Sequence, residues 1–230
     1  MHSIDAVVTQ WIVSLHGRSQ IIDRLFSDLL QFPTFKILPV LLMMVGLWAS
    51  VDWQSDRRRI LVSAVVAGFV TLILTRLIQN LGPNRTRPAL SGLYDFRGLY
   101  EGPPADWSSF PSDTAGLALA VATGLFLTSR PLGTIALLWA IGVTSFSRLY
   151  CGQHYLSDLV AGGLIGSGLT VVLTRSRLSK LFYDKLVHWA APREYLFYPF
   201  AFFVLFEVAD WFWDFRRIIT PLAHMLLPHF

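Results

Sequence analysis

The chain has 230 residues, of which 53% are hydrophobic and only 15% charged, whereas a soluble domain carries roughly 25% charged residues. With a mean hydropathy of +0.50, it has more apolar surface than a water-soluble domain of this size can hide, so an integral membrane protein is expected. The net charge of +4 and pI near 9.5 do not point to nucleic acid, because the basic residues sit in short linkers between apolar runs and form no single patch.

In chain order, residues 1–34 carry Ile4, Val7, Val8, Trp11, Ile12 and Leu15 at helical spacing, and a second such stretch runs from Ile21 to Leu30. Both read as amphipathic helices lying in the membrane interface; a seventh span is the weaker reading. Asp5, His16 and Arg18 interrupt any apolar core that a cleavable signal peptide would need. Uncharged apolar runs follow at 37–51, 60–75, 114–129, 131–147 and 159–174, with a rougher one at 195–206. Each falls slightly short of the ~20 residues a spanning helix requires, and polar flanks extend it. The expectation is an all-α, polytopic membrane bundle of about six transmembrane helices. Small residues over Ala161–Gly168 predict a close helix interface.

The linkers set an orientation. Arg57 to Arg59, Arg130, and Arg175, Arg177, Lys180 and Lys185 fall on one side, which the positive-inside rule makes cytoplasmic. The 82–113 segment, rich in glycine and proline, and the 148–157 segment then share the outer face. In the former, Arg85, Arg87 and Arg97 balance Asp95, Glu101 and Asp106. The chain reads as a single domain over 1–230, with interfacial helices at 1–34, a transmembrane core at 35–215 and an extracytoplasmic active-site loop at 82–113. The single cysteine, Cys151, excludes an intramolecular disulfide. Trp211 and Trp213 suit an aromatic belt, Glu207 and Asp210 a helix tilted toward the interface, and His2, His16, His188, His224 and His229, which have no partners in sequence, an interfacial setting.

Three polar clusters share the outer face: Asn84-Arg85-Thr86-Arg87-Pro88, Phe110-Pro111-Ser112-Asp113-Thr114, and Ser147-Arg148 followed by His154 and Asp158. Guanidinium forks match phosphate oxygens bidentately and stay charged, and an imidazole among them can attack phosphorus. Four residues apart, His154 and Asp158 lie one turn apart if helical. The carboxylate could then accept a hydrogen bond from one ring nitrogen and leave the other free, as in the Ser-His-Asp triad. Ser112 opens an apolar run, where helix amides and a hydroxyl suit a phosphate. Arg85 fits a headgroup anchor as well as it fits a phosphate ligand.

The segment Ser147–Asp158 resembles SRxxxxxHxxxD, the third signature of the type 2 phosphatidic acid phosphatase (PAP2) superfamily, and is complete here. Arg87-Pro88 is similar to the end of the first signature, KxxxxxxRP, and Pro111-Ser112 to the start of the second, PSGH. The resemblance spans about residues 60–174. It implies a helical membrane fold with six spans and catalysis at the outer face of a bacterial inner membrane. It also implies hydrolysis or transfer of a lipid-linked phosphate with no metal or other cofactor. Carried over residue by residue, it implies His154 as nucleophile and Asp158 as its orienter, with Arg87, Ser112 and Arg148 on the phosphoryl group.

Two departures shape the expected activity. Asn80 stands where the first signature has lysine, and Arg76, one turn earlier, is the candidate replacement. The second signature reads PSDT, so Asp113 and Thr114 take the places of glycine and histidine beside the phosphate. The aspartate is a variation similar to that of relatives acting on undecaprenyl diphosphate. The histidine is the family's general acid, and threonine cannot replace it near neutral pH. Loss of that acid favours diphosphate (polyprenyl) substrates, whose leaving group has a second pKa near ~6 by analogy with phosphoserine, unless Glu101 or Asp106 substitutes. The competing expectation is a degenerate relative that binds or moves lipid phosphates without cleaving them.

Overall fold

The computed structural model describes residues 4–96, 99 and 108–209. Arg97, Glu101, Asp106, Asp210, Trp211, Trp213, His2, His224 and His229 lie outside them, as do the expectations placed on those residues. All six apolar runs are helical, and no strand occurs among the described residues. In chain order the helices are α1 (Ile4–Leu15), α2 (Gln20–Gln31), α3 (Pro33–Lys36), α4 (Leu38–Ala49), α5 (Asp56–Leu81) and α6 (Asp113–Thr128). They continue with α7 (Arg130–Trp139), α8 (Phe146–Tyr150), α9 (Leu156–Arg175), α10 (Arg177–Ala190) and α11 (Glu194–Ala209). A π-helical turn, Ala140–Ser145, joins α7 to α8 without a break.

Three of these helical segments are long and apolar enough to cross a membrane: Asp56–Leu81, Arg130–Tyr150 and Leu156–Arg175. The other three runs form shorter helices, with 12 residues in α4 and 16 each in α6 and α11, below the ~20 that span a bilayer unaided. Length alone therefore supports three spans of the expected six.

Helix α6 is the axle of the bundle, packed against α5, α7 and α9. Its sequence explains the position: Ala115, Gly116, Ala118, Ala120, Ala122 and Gly124 are all buried and too small to hold neighbouring backbones apart. The interface expected of Ala161–Gly168 is the α6–α9 contact. A Cβ on Gly162 would stand 2.1 Å from the Ser112 carbonyl oxygen, and one on Gly166 2.0 Å from that of Gly116. Gly168 faces open space. Thr170 Oγ1 donates across this contact to the Ala120 carbonyl at 3.0 Å. Helix α9 is thereby locked in register against the N-terminus of α6.

Helices α1 and α2 pack on α8 and the start of α9, burying Ile12 and Leu30 against Leu149, Tyr150, Cys151 and Leu159. Their other faces leave Ile4, Val7, Trp11, Ile21 and Ile22 exposed. Packing corrects the expectation for His16. It is 3% exposed, and its Nε2 donates to the Tyr150 carbonyl at 3.0 Å, because the end of α1 is covered by α8. At the opposite end of the bundle, Arg58 is also buried. Its guanidinium lies 4.6 Å from the Trp48 ring centre and 4.7 Å from that of Trp53, and Nε donates to the Trp48 carbonyl. Arg59 donates to the Thr174 carbonyl at 2.7 Å. Two of the three linker arginines thus brace helices.

Candidate active site

The three polar clusters converge at one end of α5, α6 and α9. The segment 83–87 has no regular secondary structure, and in it Asn84 and Thr86 are exposed, Arg85 and Arg87 half-buried. The Phe110–Pro111 peptide is cis. Ser112 then caps α6, its hydroxyl accepting from the Ala115 amide at 3.3 Å, a cap worth about 1 kcal/mol. The Ser112 amide donates to the Asp158 carbonyl at 2.9 Å, which fixes the start of α6 to α9. The π-helical turn ends two residues before Ser147, and Arg148 Nη1 donates back to the Thr144 carbonyl at 3.1 Å. Arg148 is 4% exposed.

His154 differs from the expectation in one respect. It precedes α9, whose first residue is Leu156, so it does not sit one helical turn from Asp158. Nδ1 lies 2.8 Å from the Ser109 carbonyl oxygen and 3.7 Å from Asp158 Oδ2. A carbonyl only accepts, so the proton is assigned to Nδ1, and Nε2 keeps its lone pair. The hydrogen-bond partner is thus a backbone oxygen, with the carboxylate as a charged neighbour. Burial pushes the His154 pKa below its ordinary value, Arg87 pushes the same way, and Asp158 and Asp113 oppose without prevailing. Arg87 Nη1 lies 3.5 Å from Nε2 and donates to the Gln153 carbonyl at 3.0 Å.

Asp158 is fully buried and has strong partners of its own. Oδ2 accepts from the Tyr155 amide at 2.9 Å, and Oδ1 accepts from Arg85 Nη1 at 2.5 Å. Arg85 also reaches Ser157 Oγ at 2.7 Å and Asp5 Oδ2 at 2.7 Å, and lies 4.1 Å above the Tyr155 ring. Arg85 thus clamps two carboxylates, Asp5 and Asp158.

Arg76 and Asn80 part company. Asn80 is exposed, whereas Arg76 Nη2 forms an ion pair with Asp113 Oδ2 at 2.7 Å. Asp113 Oδ1 accepts from the Thr114 amide at 2.7 Å and from its hydroxyl at 3.2 Å. Gln79, also on this face of α5, donates to the Pro111 carbonyl at 2.7 Å. Sequence reasoning missed the Ser109 carbonyl, Gln79 and Asp5. Backbone acceptors leave no mark in a sequence, but Asp5 is the one charge in α1, a signal that was present.

What the arrangement can do follows from its charges. Arg87 lies beside a neutral, buried imidazole whose Nε2 keeps a lone pair, near a helix N-terminus, and such a site suits a phosphoryl group.

A family model described as the PAP2 superfamily matches residues 57–181. Undecaprenyl-diphosphatase BcrC of Bacillus subtilis (strain 168) is 28% identical over 152 residues, covering 66% of this chain and 74% of the relative. The bacitracin transport permease protein BcrC of Bacillus licheniformis is 32% identical over 131 residues, covering 54% of this chain and 60% of that protein. Among solved structures, Aquifex aeolicus LpxE superposes with a TM-score of 0.54 at 22% identity, covering 74% of this chain and 94% of its own. The first transmembrane PAP2-type phosphatidylglycerolphosphate phosphatase from Bacillus subtilis gives 0.50 at 18% identity, covering 79% and 85%. Both structures share the fold.

Proposed function

Because the chain belongs to the PAP2 superfamily, we propose that it is a lipid phosphatase or phosphotransferase working through a phosphohistidine, with a bias toward polyprenyl diphosphates. The observation that carries this is the His154–Ser109 bond of 2.8 Å, which puts the proton on Nδ1 and aims reactivity at Nε2. Nε2 attacks the terminal phosphorus of the lipid diphosphate. The bridging P–O bond breaks, and its electron pair leaves with the lipid monophosphate. Water, or a second phosphorylated lipid, then attacks the phosphohistidine and breaks the N–P bond, and the proton of the attacking hydroxyl passes to solvent. Arg87 and Arg148 neutralise the phosphoryl oxygens, with Ser112, Asp113, Thr114 and Arg76 at the rim of the site. Asp158 balances the positive charge that the phosphorylated imidazole acquires.

Two features favour a diphosphate. Thr114 stands where the family's acid stands, and its hydroxyl is engaged with Asp113; a phosphate leaving group departs without that acid. The undecaprenyl-diphosphatase relative acts on such a substrate by name. The single domain spans 1–230, embedded as six helices in a bacterial inner membrane, with 82–113 and the site on the extracytoplasmic side.

The test is phosphate release by purified protein from undecaprenyl diphosphate, undecaprenyl phosphate and phosphatidic acid, with acid-labile phosphohistidine trapped in parallel. Release is expected to be fastest from the diphosphate, and His154→Ala should abolish both turnover and trapping. Wild-type turnover surviving in His154→Ala, or no turnover on any lipid, overturns the reading.

A further inference from the structure

The N-terminal helix carries a carboxylate that is built into the site. Asp5 Oδ1 accepts from the Ser157 amide at 2.9 Å. Oδ2 accepts from the Ser157 hydroxyl at 2.6 Å and from Arg85 Nη2 at 2.7 Å. Ser157 is the second residue of α9, and its amide is one of those that no helical carbonyl satisfies. An N-cap side chain usually supplies the acceptor. Here the N-cap is Tyr155, whose phenol is a poor cap, and a residue 152 positions away takes its place.

The same carboxylate sets the state of Arg85. Nη1 holds Asp158 Oδ1, and Nη2 holds Asp5, so the guanidinium bridges two anions. Without Asp5, its second arm would have no carboxylate and would be free to turn toward an incoming phosphate, drawing Nη1 off Asp158. Asp158 has no slack to absorb such a shift, being fully buried and bound to the Tyr155 amide next to His154.

We infer that Asp5 is a positioning residue of the active site, acting from the N-terminal interfacial helix through Arg85 and Ser157 to hold Asp158 beside His154. The inference rests on the phosphohistidine reading above and adds to it that α1 is part of the catalytic unit. It also explains why the one charge in α1 faces inward: a solvated charge would lie on the outer face, with Gln10. The consequence is geometric. Displacement of a reacting group by about 1 Å costs up to ~10²-fold in rate, so the penalty falls on kcat and leaves substrate affinity largely intact.

The experiment measures kcat and KM for phosphate release from undecaprenyl diphosphate by the full chain in detergent, with Asp5→Asn, Asp5→Glu, Arg85→Gln and Asp5→Asn/Arg85→Gln. Asp28→Asn, an exposed carboxylate of α2, serves as the unchanged control. Asp5→Asn is expected to lower kcat about 10- to 100-fold with KM within about threefold, and Asp5→Glu to recover part of the loss. The double variant should lose less than the two single losses combined, since Asp5 acts in part through Arg85 and in part through Ser157. Wild-type kcat in Asp5→Asn, or additive losses in the double variant, overturns the inference while leaving the parent reading standing. If Asp5→Asn does not fold, Asp5→Glu decides on the same kcat and KM criterion. Absence of wild-type turnover overturns the parent reading, and the inference falls with it.

Discussion

Arg76 and Asp113 form an ion pair of 2.7 Å between α5 and the start of α6. The cation one turn before Asn80 and the carboxylate in the altered second signature are therefore partners, and each accounts for the other. Asp113 is 6% exposed and also accepts from the amide and hydroxyl of Thr114, so removing Arg76 takes the paired cation from a buried carboxylate. Arg76→Gln is expected to lower stability by about 1–3 kcal/mol, read as a fall in Tm in detergent. Arg76→Gln/Asp113→Asn should recover part of that fall. A Tm unchanged in the single variant would show that the pair contributes no more than a surface contact.

Thr114 gives a prediction about leaving groups. A monoester expels an alkoxide, for which a positioned acid typically contributes ~10²–10⁴-fold. A diphosphate expels a phosphate that needs no such help. Thr114→His should raise turnover of undecaprenyl phosphate more than that of undecaprenyl diphosphate, compared as a ratio of kcat/KM values. A ratio that stays constant removes the argument.

The pH dependence follows from His154. Burial, helped by Arg87, holds its pKa below the ordinary value despite Asp158 and Asp113. The attacking form is neutral, so the acidic limb of kcat/KM should lie below the free imidazole pKa of about 6.5. Between that value and the lower folded pKa the unfolded chain binds more protons. The stability contributed by neutral His154 is thus complete above about pH 6.5 and is lost as pH falls through this window. Asp158→Asn removes the opposing anion and should move the acidic limb to still lower pH. A limb above pH 6.5 in the wild type contradicts this.

Gly162 and Gly166 test the helix contact that carries the site. Gly162→Ala would push a methyl group onto the Ser112 carbonyl and Gly166→Ala onto that of Gly116. Backbone cannot yield as a flexible side chain can, and each should cost about 1–3 kcal/mol. Gly162→Ala should also lower kcat, because it displaces the residue capping α6. Gly168→Ala meets nothing within 4 Å and should leave Tm and kcat unchanged.

Orientation is testable at Leu93, which is 77% exposed in the 82–113 segment. Leu93→Cys in a Cys151→Ser background should react with an impermeant thiol reagent applied from the extracytoplasmic side. Labelling only after lysis reverses the topology.

The sequence by itself determined the helical membrane class, the six apolar runs and the three signature clusters, because hydropathy and fixed spacing are local properties of a chain. It placed His154, Arg87 and Arg148 near one another through those spacings. Tertiary structure decided who holds whom. The partner of His154 Nδ1 is the Ser109 carbonyl, which no residue pattern encodes. Arg85, equally a phosphate ligand or an anchor by composition, is committed because α1 brings Asp5 to it. His16, read as interfacial, is buried because α1 docks on α8. Helical periodicity shows which face of a helix is apolar. What that face meets depends on how closely α6 and α9 approach, and the few atoms absent at Gly162 and Gly166 set that distance.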